Sequence, residues 1–175
     1  EGQISSLAAS IILVAILMWI IFRNLGLTFI SLLPLTVGIS LNFGIMGLLN
    51  IPLNAVTATV ASIAIGMGID YSIHFLSRYL LELKASAGCV NTALLRTYNS
   101  TGKAIMSNAL SVSAGFMVLM FSKFPIIKQF GGLMAFTVGI TGLAAILIIP
   151  AAIKAASRNV ENGAATEERV EEAGA

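Results

Sequence analysis

Charge is scarce in this sequence: only 10% of its 175 residues are Asp, Glu, Lys or Arg, against roughly a quarter in soluble domains. The 10 basic and 8 acidic residues leave a net charge of +2, too sparse and dispersed for the basic stripe of a nucleic-acid footprint, so nucleic acid is not an expected partner. Cysteine is nearly absent. The single Cys89 excludes an internal disulfide framework, and no Cys/His cluster has metal-ligand spacing, so neither metal nor cofactor is expected. A basic leader is also missing. Glu1 precedes the first apolar run and no Ala-x-Ala site follows it, which fits a true span better than a cleaved signal peptide. The first residue is not Met, which points to a processed product or a piece of a longer chain.

What the chain has is hydrophobicity. Apolar residues make up 57% of it and the mean hydropathy is +0.94. A span needs about 20 mostly apolar residues to cross a hydrocarbon core about 30 Å thick. Stretches 4–22, 27–49, 54–77, 104–121 and 129–153 meet that requirement, and they are twice as long as barrel strands and lack alternation. Helices satisfy the backbone in lipid, so the predicted fold is all-α, a polytopic bundle of five transmembrane helices over 1–154.

The distribution of Lys and Arg predicts orientation. Arg23, Arg78, Lys84, Arg96, Lys103, Lys154, Arg158 and Arg169 fall on one side, and only Lys123 and Lys128 on the other. This bias puts the C-terminus in the cytoplasm of a multi-pass inner-membrane protein. The connection 50–53 becomes a short outer turn and 78–103 the longest inner loop, with a short interfacial helix within 85–98. The Glu-rich stretch 155–175 has no apolar face and is predicted to be a disordered cytoplasmic tail. Asn99-Ser100-Thr101 matches a glycosylation sequon, but on the side where it would not be used. Small residues recur at helical spacing, as Gly131, Ala135 and Gly139 and as Gly38 with Asn42, which suits close helix packing in lipid.

Asp70 is the one acid inside a span. A charge there costs about 2.5–3.5 kcal/mol on insertion scales, so such a residue marks a functional site by default, interhelical glue being the bland alternative. A period near 3.6 puts Thr59, Ser62, Gly66, Asp70, His74 and Ser77 on one stripe, predicted to face protein. An acid kept from water favours its neutral form and can exchange a proton. Tyr71 adds a phenol, or serves as packing, and His74, the only histidine, adds a second proton carrier unless it simply reaches the interface. Ser107, Asn108, Ser111 and Ser113 in the fourth span offer partners for a water wire, and Gly66 and Gly68 leave room beside the acid.

The run Gly66-Met67-Gly68-Ile69-Asp70-Tyr71-Ser72-Ile73-His74 resembles the Gly-x-x-x-Asp-Tyr signature of the mycobacterial-membrane-protein-like branch of the resistance-nodulation-division superfamily. Thr101-Gly102-Lys103-Ala104-Ile105, Asn108-Ala109-Leu110 and Ala114-Gly115-Phe116 resemble the following helix of that family. The resemblance implies helices two to six of a six-helix repeat. It also implies a proton relay at Asp70 and Tyr71, with Ser107 and Ser111 as neighbours, and export of lipids or other amphiphiles driven by the proton gradient. Its partners would be the bilayer, protons, the substrate, a second half-repeat and porter domains. No enzymatic chemistry is implied. The alternative is a sterol-sensing-like regulatory module, whose signature does not demand the Asp-Tyr pair; a six-helix protein-export subunit fits less well.

Overall fold

A computed structural model describes residues 2–52 and 54–174, with the side chains of residues 1–4, 6, 7, 53, 55 and 158–175 outside the description. Every described element is helical, and the bundle is an all-α membrane fold: α1 (Gly2–Phe22), α2 (Leu25–Leu48), α3 (Ala55–Ala85), α4 (Val90–Thr97), a π turn (Tyr98–Gly102), α5 (Lys103–Val118), a 3-10 turn (Leu119–Phe121) and α6 (Pro125–Gly174). Among the described residues four helices are long and apolar enough to cross a membrane, Leu25–Leu48, Val56–Ala85, Val90–Phe121 and Pro125–Ser157, and a shorter apolar helix covers Ala8–Phe22.

Asparagine sets the turns. Asn24 caps α2 by accepting from the backbone N–H groups of Gly26 at 2.9 Å and Leu27 at 3.3 Å, which satisfies donors that a helix start leaves unpaired. Asn54 and Thr57 form a reciprocal capping box at the start of α3. Asn50 takes a left-handed φ of 52° that asparagine tolerates better than most residues, which turns the chain sharply between α2 and α3. Pro125 opens α6, where its missing N–H costs nothing.

The predicted inner loop is mostly helix. α3 runs to Ala85, eight residues beyond the predicted end at 77, and at 1.5 Å per residue its length of about 46 Å exceeds the hydrocarbon core. A short helix, α4, forms within the stretch 85–98 where one is expected. Glu82 joins it to α3, accepting from Arg78 at 2.7 Å on its own helix and standing 3.8 Å from Arg96 on α4. The backbone of α6 continues to Gly174, so the stretch from 155 whose composition predicts disorder is helical there, its side chains from 158 on lying outside the described residues.

α6 is the helix around which α2, α3 and α5 pack. Small residues make the approach close. A Cβ on Gly38 of α2 would collide with the Thr141 methyl, and one on Gly142 would lie 2.6 Å from Ala109 Cβ of α5. Asn42 of α2 donates its side-chain amide to Thr137 Oγ1, which in turn donates to the Leu133 carbonyl at 2.6 Å. Ser113 of α5 donates to the Ala135 carbonyl at 3.0 Å. The two small-residue seams thus hold α6 between α2 and α5, while Phe75, Leu76, Met134, Val138 and Ile149 fill the interior. Ile12, Leu13, Trp19 and Ile20 of α1 point outward, as a lipid-facing helix requires.

Candidate functional site

The back of α3 is buried and its front is open. Val60, Ala64, Gly68, Ser72, Phe75 and Tyr79 pack inward, whereas Thr59, Ser62, Gly66, Asp70 and His74 are exposed and Ser77 is half-buried. The period therefore groups the polar residues on one stripe as predicted, but the stripe does not face the interior of this chain. The physical reason is that α2 and α6 occupy the opposite side of α3, where residues at the same period are small or apolar. A Cβ on Gly66 would meet nothing within 4 Å, whereas one on Gly68 would touch Leu35 of α2 at 3.2 Å.

Beside the stripe lies a cleft of about 420 Å³ lined by Asp70, Tyr71 and His74 of α3 and by Thr101, Ala104, Ile105 and Asn108 of the π turn and α5. Tyr71 follows Asp70 by about 100° around the helix. This turn takes its ring into the bundle, where it is 4% exposed and lies against α6 at Gly142. Tyr71, Asn108 and Asp70 line this cleft together, with the phenol near enough to the amide and the carboxylate to interact with both. A carboxylate, a phenol, an imidazole, an amide and a hydroxyl thus converge on one cleft, roomy enough for several waters, partway along a membrane-length helix. Such a group can accept a proton, pass it between oxygens and release it.

Of the residues expected at the site, Asp70, Tyr71, His74 and Asn108 come together. Ser107 does not. It lies in a separate cleft of about 380 Å³ with Tyr98, Lys103 and Met106, because adjacent helical residues point about 100° apart and Asn108 occupies the Asp70 side. Ser111 is one turn beyond Asn108 on the same face but outside the cleft lining. Thr101, expected only within the helix-like run 101–105 and not as a site residue, joins the lining. The π turn carries the helical path back through it, and its spacing of seven from Asn108 was the available signal. Among the described residues no group of three His, Cys, Asp or Glu could hold a metal ion.

The sequence profile of the MMPL family matches residues 2–172. The chain belongs to that family. It is 29% identical over 160 residues to MJ1562 of Methanocaldococcus jannaschii, covering 91% of this chain and 41% of the relative. It is 22% identical over 154 residues to the hopanoid transporter HpnN of Rhodopseudomonas palustris, covering 88% and 18%. It is 29% identical over 147 residues to MmpL8 of Mycobacterium bovis, covering 80% and 13%. This MMPL chain therefore spans less than half the length of each of these relatives. No solved structure matches it.

Proposed function

We propose that this MMPL chain is the membrane part of an exporter of lipids or other hydrophobic compounds driven by the proton-motive force, with Asp70 and Tyr71 as the proton relay. The cleft that joins Asp70, Tyr71, His74, Thr101 and Asn108 at membrane depth carries this reading. Protonation of Asp70 removes a charge from the open stripe of α3, and the change in its cost against neighbouring helices biases their packing between two arrangements. Tyr71, beside Asn108 in the same cleft, passes the proton between the carboxylate and the bundle interior.

The open stripe supports a second element of the proposal. A carboxylate facing lipid costs about 2.5–3.5 kcal/mol, so helices from outside this chain cover Asp70 in the assembled transporter, and the second half-repeat is the candidate. Transporters built from repeats place their coupling sites at the repeat interface. Porter domains supplied outside these helices would select the substrate.

The test is Asp70→Asn in the complete transporter, read as substrate export under an imposed pH gradient. The amide keeps the volume and the hydrogen bonds but cannot exchange a proton, so export is expected to vanish at normal expression, with a milder loss for Tyr71→Phe. Full export by Asp70→Asn, with an unchanged response to the gradient, would sink the relay and favour the sterol-sensing-like regulatory module.

A further inference from the structure

At the opposite end of the bundle from Arg78, between the last turns of α2 and the first three turns of α6, lies a second and larger cleft of about 650 Å³. Leu133, 4% exposed, forms its floor with Gly132 and Phe136, and Ile45, Leu49 and Met120 form its walls. From Pro125 to Phe136 it follows α6 for about 16 Å at 1.5 Å per residue. That depth is about one leaflet of a hydrocarbon core about 30 Å thick. Lys128 lines the mouth. Stretches 48–58 and 118–130 hold no acid, and the described ion pairs all lie at the other end of the bundle.

We infer that this cleft binds an anionic phospholipid, with one acyl chain in the trough over Gly132 and the headgroup on Lys128. The trough matches an acyl chain in depth and in polarity, and a lysine reaches a headgroup by laying its stem along apolar surface while its ammonium stays at the polar boundary. The cation, which has no counter-ion among the described residues, supplies the preference for negative charge. The long flexible side chains of Met120 and Lys128 in the lining adapt to a mobile chain more readily than to a rigid apposed helix.

The site is separable from the relay, since no residue of the Asp70 cleft lines it. Trp19 is the only tryptophan, so Trp19→Phe combined with Phe136→Trp puts a single fluorophore on the floor of the cleft. In vesicles of phosphatidylcholine containing a minor share of lipid with brominated acyl chains, brominated phosphatidylglycerol is expected to occupy the site with about fivefold preference over brominated phosphatidylcholine. Lys128→Gln abolishes that preference, and Lys123→Gln, outside the cleft, keeps it. Gly132→Phe lowers quenching by both lipids, because a Cβ there meets only the flexible end of Met120 at 3.7 Å and the ring enters the trough. Native mass spectrometry of the unsubstituted chain from mixed lipid gives an independent reading, a phosphatidylglycerol adduct that Lys128→Gln loses. Equal quenching by the two lipids, equal effects of Lys123→Gln and Lys128→Gln, or no quenching by either lipid because protein covers the cleft would each overturn the site.

Discussion

Ser72 of α3 donates its hydroxyl to the backbone carbonyl of Ser31 on α2 at 2.8 Å, and both residues are fully buried. The bond pins α3 from behind, two residues from Asp70 and on the side away from the open stripe. Interhelical hydrogen bonds in membranes are worth about 0.6 kcal/mol on average and up to about 1.7. Ser72→Ala is therefore expected to lower stability by less than about 2 kcal/mol in a detergent unfolding titration, while Ser72→Leu, which overpacks a full site, costs about 1–3 kcal/mol or more. A larger loss for the alanine than for the leucine would mean that the bond, not the space, holds the two helices.

The glycines divide in the same way between back and front. A Cβ on Gly131 would stand 2.5 Å from Leu119 Cβ and 2.7 Å from the Phe116 carbonyl oxygen, so Gly131→Ala must push α6 off the end of α5. Its expected cost is about 1–3 kcal/mol. Gly66→Leu meets open space in this chain and, by replacing a helix-interior glycine, is expected to raise its stability by up to about 1 kcal/mol, yet, on the proposed covering by a second half-repeat, to impair the assembled transporter. Thermal unfolding of the chain alongside export by the complete transporter separates the two.

The contrast shows what the residue pattern could and could not disclose. Apolar run lengths located the helices because lipid imposes that length on any span. The period of 3.6 correctly grouped Gly66, Asp70 and His74, but a period states which residues share a face and not what the face meets. Hence the stripe was expected inside and lies outside. The Arg78-to-Lys103 segment looked like a loop because its polar residues interrupt the apolar run, although Glu82, Arg78 and Arg96 pair across two helices there. Thr101 falls in that polar stretch, ahead of the apolar run, and Ser107 and Asn108, adjacent in sequence, point about 100° apart on a helix and so line separate clefts.

Cys89 offers a test of orientation with its own chemical signature. It is exposed at the start of α4, and the Thr92 hydroxyl donates to its sulfur at 3.3 Å, which holds the thiol below its usual range by favouring the thiolate. Because the thiolate is the reactive form, Cys89 should label faster at neutral pH than in Thr92→Val, where the curve of rate against pH moves upward. The Lys/Arg bias further predicts that an impermeant maleimide reaches Cys89 only after permeabilisation, whereas cysteines placed at Asn50 and Ser122 react in intact cells. Labelling of Cys89 from outside would reverse the topology.

Asp70 itself separates the chain from the assembly. In this chain the carboxylate lies on the open face of α3, so it bears the cost of a membrane charge without a covering helix, about 2.5–3.5 kcal/mol on insertion scales. Asp70→Leu removes that cost and replaces it with an apolar side chain that lipid accepts, so the isolated chain is expected to insert more efficiently and unfold later. In the complete transporter the same substitution removes the proposed proton-exchanging group, and on that proposal export is expected to vanish. Stability and activity should therefore move in opposite directions, whereas an acid that merely glues helices together within this chain would lose both. An isolated chain destabilised by Asp70→Leu would show that Asp70 makes a favourable contact with its own bundle, and the covering helix would no longer be required.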